Sequence, residues 1–201
     1  MATETPKYKI LKSSGKCELR SYTKSITASV LVDATEHGSA GSEAFGVLAD
    51  YIFGNNTSRS SIAMTVPVAS QQLSSEKIAM TAPVSTSQTK TGHYSVSFTM
   101  PSSYSLSTLP KPNNSQVIVA ARDPYRAVVI RFSGYTSEEK INKKTAELKA
   151  WADSINLAAN GPISVLRYDA PYKPGFLRHN EISIQVDESK NSSTQQAKTK
   201  Y

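Results

Sequence analysis

Apolar and polar residues alternate along several stretches of the chain. Ile26, Ala28, Val30 and Val32 are separated by Thr27, Ser29 and Leu31, and Tyr94, Val96, Phe98 and Met100 by Ser95, Ser97 and Thr99. A period of two places the apolar groups on one face of a strand, with the polar groups on the other. Runs at 117–120, 127–132, 163–168 and 182–186 predict further strands, and 16–22 a weaker one.

Two segments change period. Ser42-Glu43 opens a stretch with Ala44, Phe45, Leu48, Tyr51 and Ile52 at helical spacing, closed by Gly54 and Asn55. Thr136-Ser137-Glu138-Glu139 has the form of a capping box, which satisfies free backbone donors at a helix start. It leads into Ile141, Leu148, Trp151, Ala152 and Ile155 on one helical face, with Asn160-Gly161-Pro162 as the expected stop.

The order is therefore strand, strand, helix, strand, strand, and then the same again. This predicts an α+β fold: a distorted antiparallel β-barrel from two pseudo-repeated halves, each with one α-helix packed on the sheet. The halves cover about 15–100 and 116–186 of a single domain at 8–186. Leu109–Asn114 joins them as a proline-containing connector. Residues 1–7 are expected to be loose and 187–201 to be a disordered tail, since only Ala197 and Tyr201 there could pack. A crevice where two halves meet is a common place for a ligand.

One motif is duplicated. Ile62–Val68 reads IAMTVPV, and after nine residues Ile78–Val84 reads IAMTAPV, identical at six of seven positions. Proline cannot donate to a ladder, so each copy is expected to be an edge strand or to end at its proline. Met64 and Met80 either fill gaps in the core or line an apolar lip over a flat ligand.

Composition narrows the function classes. The chain has 201 residues and one cysteine, which excludes an internal disulfide and a CxxC metal cluster. The 23 basic and 16 acidic residues give a net charge of +7. The basic residues are scattered rather than gathered with aromatics, so nucleic-acid binding is not expected. No apolar run approaches the roughly 18 residues of a membrane span, and residues 1–7 lack the apolar core of a signal peptide. A soluble, cytoplasmic monomer is the expectation. No Ser-His-Asp, HExxH, paired-carboxylate or phosphate-loop pattern is visible, so no catalytic residue is assigned and an enzyme is not expected.

The chain resembles the SOUL/haem-binding protein family. The resemblance runs through Tyr8-Lys9-Ile10, Cys17–Tyr22 (CELRSY), Ala44-Phe45, Leu48–Asn55 (LADYIFGN) and Lys77–Val84 (KIAMTAPV). It continues through Val96–Pro101, Ala127–Gly134, Arg167–Pro171 and Pro174–Ile182 (PGFLRHNEI), in order over about residues 8–186. It implies a distorted barrel of two related halves and a protein that binds haem or another tetrapyrrole as carrier or buffer, without established catalysis. Related effector-binding domains share that architecture and bind small apolar or cationic ligands.

Haem needs apolar walls, cations for its propionates and, optionally, an axial ligand. Phe45, Leu48, Ile52, Met64 and Met80 are the candidate walls. Lys173 matches a basic position of the family's late loop, and Lys77 and Arg178 flank matched motifs. In the family branch with a histidine ligand, that position is Ser21 here, so that mode is not inherited. His37, in the expected loop before the first helix, is the candidate axial ligand; His93, His179 and Cys17 read as ordinary surface or core residues. The first helix has no Lys or Arg between 42 and 53. Two other readings remain open: a general small-ligand effector-binding module without haem, and an interaction module whose apolar lip docks a protein partner.

Overall fold

The computed structural model describes residues 3–59, 75–89, 91 and 93–186. Nine strands form one antiparallel curled sheet: β1 (Tyr8–Ser14), β2 (Cys17–Tyr22), β3 (Ser25–Val32), β5 (Val84–Gln88), β6 (Tyr94–Thr99), β8 (Ile118–Arg122), β9 (Tyr125–Ser133), β10 (Ile163–Arg167) and β11 (His179–Val186). A separate two-residue ladder joins β4 (Asn56–Thr57) to β7 (Lys111–Pro112). The helices are α1 (His37–Phe53) and α2 (Glu138–Ser154).

The sheet order β1-β2-β9-β11-β10-β5-β6-β3-β8 shows how the repeat is built. Strands β2-β3-α1-β5-β6 form one half and β8-β9-α2-β10-β11 the other. The third strands, β5 and β10, pair at the centre, with Val165 opposite Thr86 and Leu166 opposite Ser85. The first strand of each half crosses over: β2 pairs with β9, and β8 with β3. Exchanging the outer strands locks the two halves into one sheet.

Period two determines which face each helix covers. Ala28, Val30 and Val32 of β3 and Tyr94, Val96 and Phe98 of β6 bury themselves under Ala40, Ala44, Leu48 and Ile52 of α1. Val128, Ile130 and Phe132 of β9 and Ile182, Ile184 and Val186 of β11 pack under Ile141, Leu148 and Ala152 of α2. Each half thus has its own apolar cluster, and the alternate residues of every strand face the concave side.

Several expectations shift. β1 was not predicted, because its residues from Lys9 to Ser14 are exposed and carry no period. Ile78–Met80 is not a strand. The ladder starts at Val84, and β5, polar at every position after Val84, lies at the sheet centre rather than at an edge. Helix α1 begins five residues before Ser42, because the Glu138 carboxylate accepts the His37 backbone N–H at 2.9 Å and caps the helix from the other half. In α2 the cap is Ser137, whose hydroxyl accepts from the Lys140 N–H, while the Thr136 hydroxyl accepts from Arg167 Nε. Asn156, at φ 59°, ends α2 before Asn160-Gly161-Pro162 is reached.

Residues 4–7, expected to be loose, are tied down. The Glu4 carbonyl accepts from Ala82 N–H at 2.9 Å, its carboxylate accepts from Ser102 N–H, and the Lys7 carbonyl accepts from Thr23 N–H. The expected tail at 187–201 and the first IAMT copy lie outside the described residues. Among the described residues, no helix is long and apolar enough to cross a membrane.

Candidate functional site

The proposed haem walls divide between core and surface. Leu48 and Ile52 are fully buried in the first apolar cluster, on the side of α1 that faces the sheet. They hold the helix down and present nothing to a ligand. Phe45 sits one helical turn away, packs edge-on against Phe98 with ring centroids 5.8 Å apart, and remains 38% exposed. Met64 lies outside the described residues.

Met80 lies on the segment that leads from the Ile52 end of α1 to β5. The Ile78 N–H donates to the Ile52 carbonyl at 2.9 Å, and Val84 pairs with Phe98. The strip between these anchors therefore runs from the end of α1 back toward the ring on which Phe45 packs. Met80, within it, is 41% exposed, and Lys77 is exposed beside Ile78. Phe45 and Met80 are thus the exposed apolar candidates of the first half, and Lys77 is its exposed candidate cation.

The other two cations belong to the second half. Lys173 Nζ donates to Asp169 at 2.7 Å. Arg178 Nε donates to the Lys173 carbonyl at 2.7 Å, its other nitrogen donates to the Pro171 carbonyl, and its guanidinium lies 5.0 Å from the centre of the Tyr135 ring. Both brace the 169–178 loop from within. The loop also exposes Tyr172, Phe176 and Leu177.

Each of the three histidines lies against a carboxylate. His37 is the first residue of α1, not a loop residue. Its Nδ1 lies 3.2 Å from Glu138, its ring meets Tyr94 edge-on, and its Nε2 is buried without a hydrogen-bond partner. A ring ligand cannot reach that nitrogen while it is covered. His93 pairs with Asp33 at the surface. His179 stacks on Tyr168 at 4.2 Å and approaches Glu181. Cys17 is buried in the second cluster, and burial pushes its thiol pKa up, as for a small apolar core residue. Ser21 lies on β2 opposite Lys9 and Arg126, and its strand pairs with β1 and β9, away from β6 in the sheet order.

The sequence does not point to one further cleft. It has a volume of about 410 Å³ beside the N-terminal segment, with Ile26, Met100, Tyr104 and Leu106 as apolar walls and Lys7 and Lys24 among its lining. Its sequence signal is slight, because the lining comes from segments far apart in the chain: 4–7, 23–26, 81, 99–106 and 121. The Tyr104 hydroxyl donates to Glu76 at 2.5 Å and its pKa is pushed up to about 12, chiefly by that bond, then by burial.

A buried polar network fills one end of the concave face. Glu181 accepts two 2.8 Å bonds from Arg20 and one of 2.8 Å from the Tyr168 hydroxyl, with Arg131 Nε at 3.2 Å. Burial alone would raise the Glu181 pKa. The hydrogen bonds from His179, Arg20 and Tyr168, together with the Arg20 charge, outweigh it and hold the pKa down to about 2. Glu181 is thus a fully ionised, fully partnered anchor, paired with Arg20. So saturated a carboxylate has no free lone pair for proton transfer.

The profile of the family described as SOUL heme-binding protein matches residues 3–76 and 69–185. A search of curated protein sequences finds no significant match. Among solved structures, the EcmrR C-terminal domain is similar with a TM-score of 0.61 at 10% identity, over 90% of this chain and 98% of that one. A structure described as a hydrolase from Listeria innocua has a TM-score of 0.56 at 10% identity, over 86% and 92% of the two chains. An uncharacterised conserved protein from Listeria innocua has a TM-score of 0.56 at 13% identity over the same shares. At such identities these likenesses show the curled-sheet fold alone.

Proposed function

Starting from the SOUL heme-binding protein family, to which the chain belongs on that match, we propose that it carries or buffers haem or another tetrapyrrole without a histidine axial ligand. The family match across both halves carries this reading. The exposed faces of Phe45 and Met80 support it, because a flat macrocycle laid across them would remove apolar surface from water. Each such side chain, fully covered, contributes about 1.5–3 kcal/mol. Lys77 is the candidate cation of the same half, and an exposed ammonium suits a propionate. With His37 covered and Ser21 a poor iron ligand, binding rests on the ring rather than on the metal. The protein acts as a binder, not an enzyme, and works as a cytoplasmic monomer.

The cleft walled by Met100, Tyr104 and Leu106 supports a second placement of the same ligand, since it too joins apolar walls to cations.

The test is a titration with hemin, followed by the Soret band and by Trp151 fluorescence, and repeated with iron-free protoporphyrin. Saturable binding near one equivalent, with similar affinity for the metal-free ring, is expected. Phe45→Ala combined with Met80→Ala should weaken it about tenfold or more, from the lost apolar contact, while Leu106→Ala leaves it unchanged. Loss on Leu106→Ala alone would move the ligand into the cleft. Absence of saturable binding by both rings would overturn the haem reading.

A further inference from the structure

The concave face of the sheet has an unusual lining. Ser183 of β11 lies opposite Ser164 of β10, Ser164 opposite Ser87 of β5, and Ser87 opposite Ser95 of β6, giving one row of four serines across four adjacent strands. A second row runs from Ser85 through Ser97 to Ser29. Serine is a poor strand former, and a solvent-facing sheet usually carries larger polar or β-branched residues. On a curled sheet, long side chains would fill the concavity. Serines leave it open, as a trough of about 400 Å³ whose lining also includes Gln185, Tyr125 and Arg122.

The groups in the trough are available. Ser87 and Ser164 hydroxyls bond each other at 2.5 Å, but among the described residues the hydroxyls of Ser85, Ser97 and Ser183 meet no protein partner. They lie on three different strands, all half-buried or buried, so their positions are fixed by the ladder. Arg122 is half-buried at the wall, with its guanidinium stacked 3.7 Å from the centre of the Tyr125 ring. It makes no ion pair among the described residues. The nearby Glu181 is consumed by Arg20, so the trough offers one positive charge and no free carboxylate. Such a lining is wrong for a porphyrin and wrong for a lipophilic cation. It suits a ligand that is hydroxylated along its length and anionic at one end.

We infer that this trough is a second binding site, distinct from the haem surface, for a monosaccharide-sized polyhydroxylated anion. Arg122 takes the anionic group through its forked N–H donors, and the serine rows exchange hydrogen bonds with the hydroxyls. Serine hydroxyls both donate and accept, as sugar hydroxyls do. The anionic group is a phosphate or a carboxylate, since both match a guanidinium.

Ligand-observed NMR and calorimetry with glucose 6-phosphate, gluconate, glucose and inorganic phosphate test the inference on the full chain. One or both hydroxylated anions should bind, and the two arms show whether phosphate or carboxylate is preferred. Neutral glucose and phosphate alone should bind at least about tenfold more weakly, the worth of one charge-assisted contact. Arg122→Gln should cost about tenfold. Ser97→Leu, which fills the trough while leaving Arg122 in place, should abolish binding. Hemin titration of both variants should match the unmodified protein, which separates this site from the haem site. The inference is overturned if neither anion binds at roughly 10 mM, or if both variants, shown folded by circular dichroism, bind as tightly as the unmodified protein.

Discussion

The Arg20 guanidinium and the Glu181 carboxylate form two parallel 2.8 Å hydrogen bonds, and neither side chain is more than 1% exposed. They come from β2 and β11, which flank β9 on either side. Ala127 and Val129 of β9 face the same side and leave the pair room to close above it. The outer tyrosines complete the enclosure, with Tyr8 over the guanidinium at 4.2 Å and Tyr22 stacked on Tyr125 at 4.8 Å.

A buried pair of this kind is costly to break and inexpensive to remove whole. Arg20→Met should destabilise the fold by about 3–5 kcal/mol, because Glu181 keeps its charge without its main partner. Arg20→Met combined with Glu181→Leu should recover more than half of that loss. Urea unfolding of the two single variants and the double variant measures the coupling.

The same carboxylate sets an acid limit. Its folded pKa, about 2, lies below its ordinary value of 4.5. The unfolded chain therefore binds the proton more readily, and the stabilisation is full above about pH 4.5 and lost as pH falls toward 2. Asp169, also held below its usual range by the His179 N–H and Lys173, adds in the same direction. Glu181→Gln should lower stability at neutral pH yet flatten its decline between these limits. Unfolding midpoints measured across that window check both effects.

Gly161 is held by close approach rather than by an unusual φ. Its N–H donates to the Gln185 carbonyl at 3.1 Å, and a Cβ there would lie 2.8 Å from the Gln185 Cβ and closer still to that carbonyl oxygen. Backbone of a central strand cannot move aside. Gly161→Ala should cost about 1–3 kcal/mol, as overpacking does, whereas Gly38→Ala, which meets nothing within 4 Å, should not destabilise. Thermal unfolding compares them.

Glu138 joins the halves through a helix cap. Glu138→Ala removes the acceptor for the His37 N–H and should cost about 1 kcal/mol, in the range of a lost N-cap. Amide exchange should accelerate in the first turn of α1 and not at its Ile52 end. Uniform acceleration along α1 would contradict a local capping role.

Restoring the family's histidine should not restore iron ligation. Ser21 lies on β2, while the proposed ring surface lies over α1 and β6. Ser21→His should leave hemin affinity within about twofold and the Soret maximum unmoved. A red-shifted, six-coordinate spectrum would place the ring near β2 instead.

Strong local signals in the chain decided the framework. Strict alternation in 26–32 and 94–100 specified the buried face of β3 and β6, and the apolar stripe from Ile141 to Ala152 specified α2, because burying those faces dominates the energetics of their segments. The twofold repeat of strand, strand, helix, strand, strand was equally legible, as were the motifs of the SOUL family. Where local signals were weak, tertiary partners decided. Helix α1 starts at His37 because a carboxylate from the other half caps it. The Ser-rich β5 becomes a central strand because β10 and β6 pair on either side. Leu48 and Ile52 share a helical stripe with Phe45, yet only packing against β3 and β6 decides which of the three faces outward. Arg20 and Glu181 carry no pattern that predicts their meeting, since an ion pair across β9 depends on strand order. The serine trough is the clearest case. Alternation puts those residues on the polar face, but only the curl of the sheet turns a polar face into a cavity.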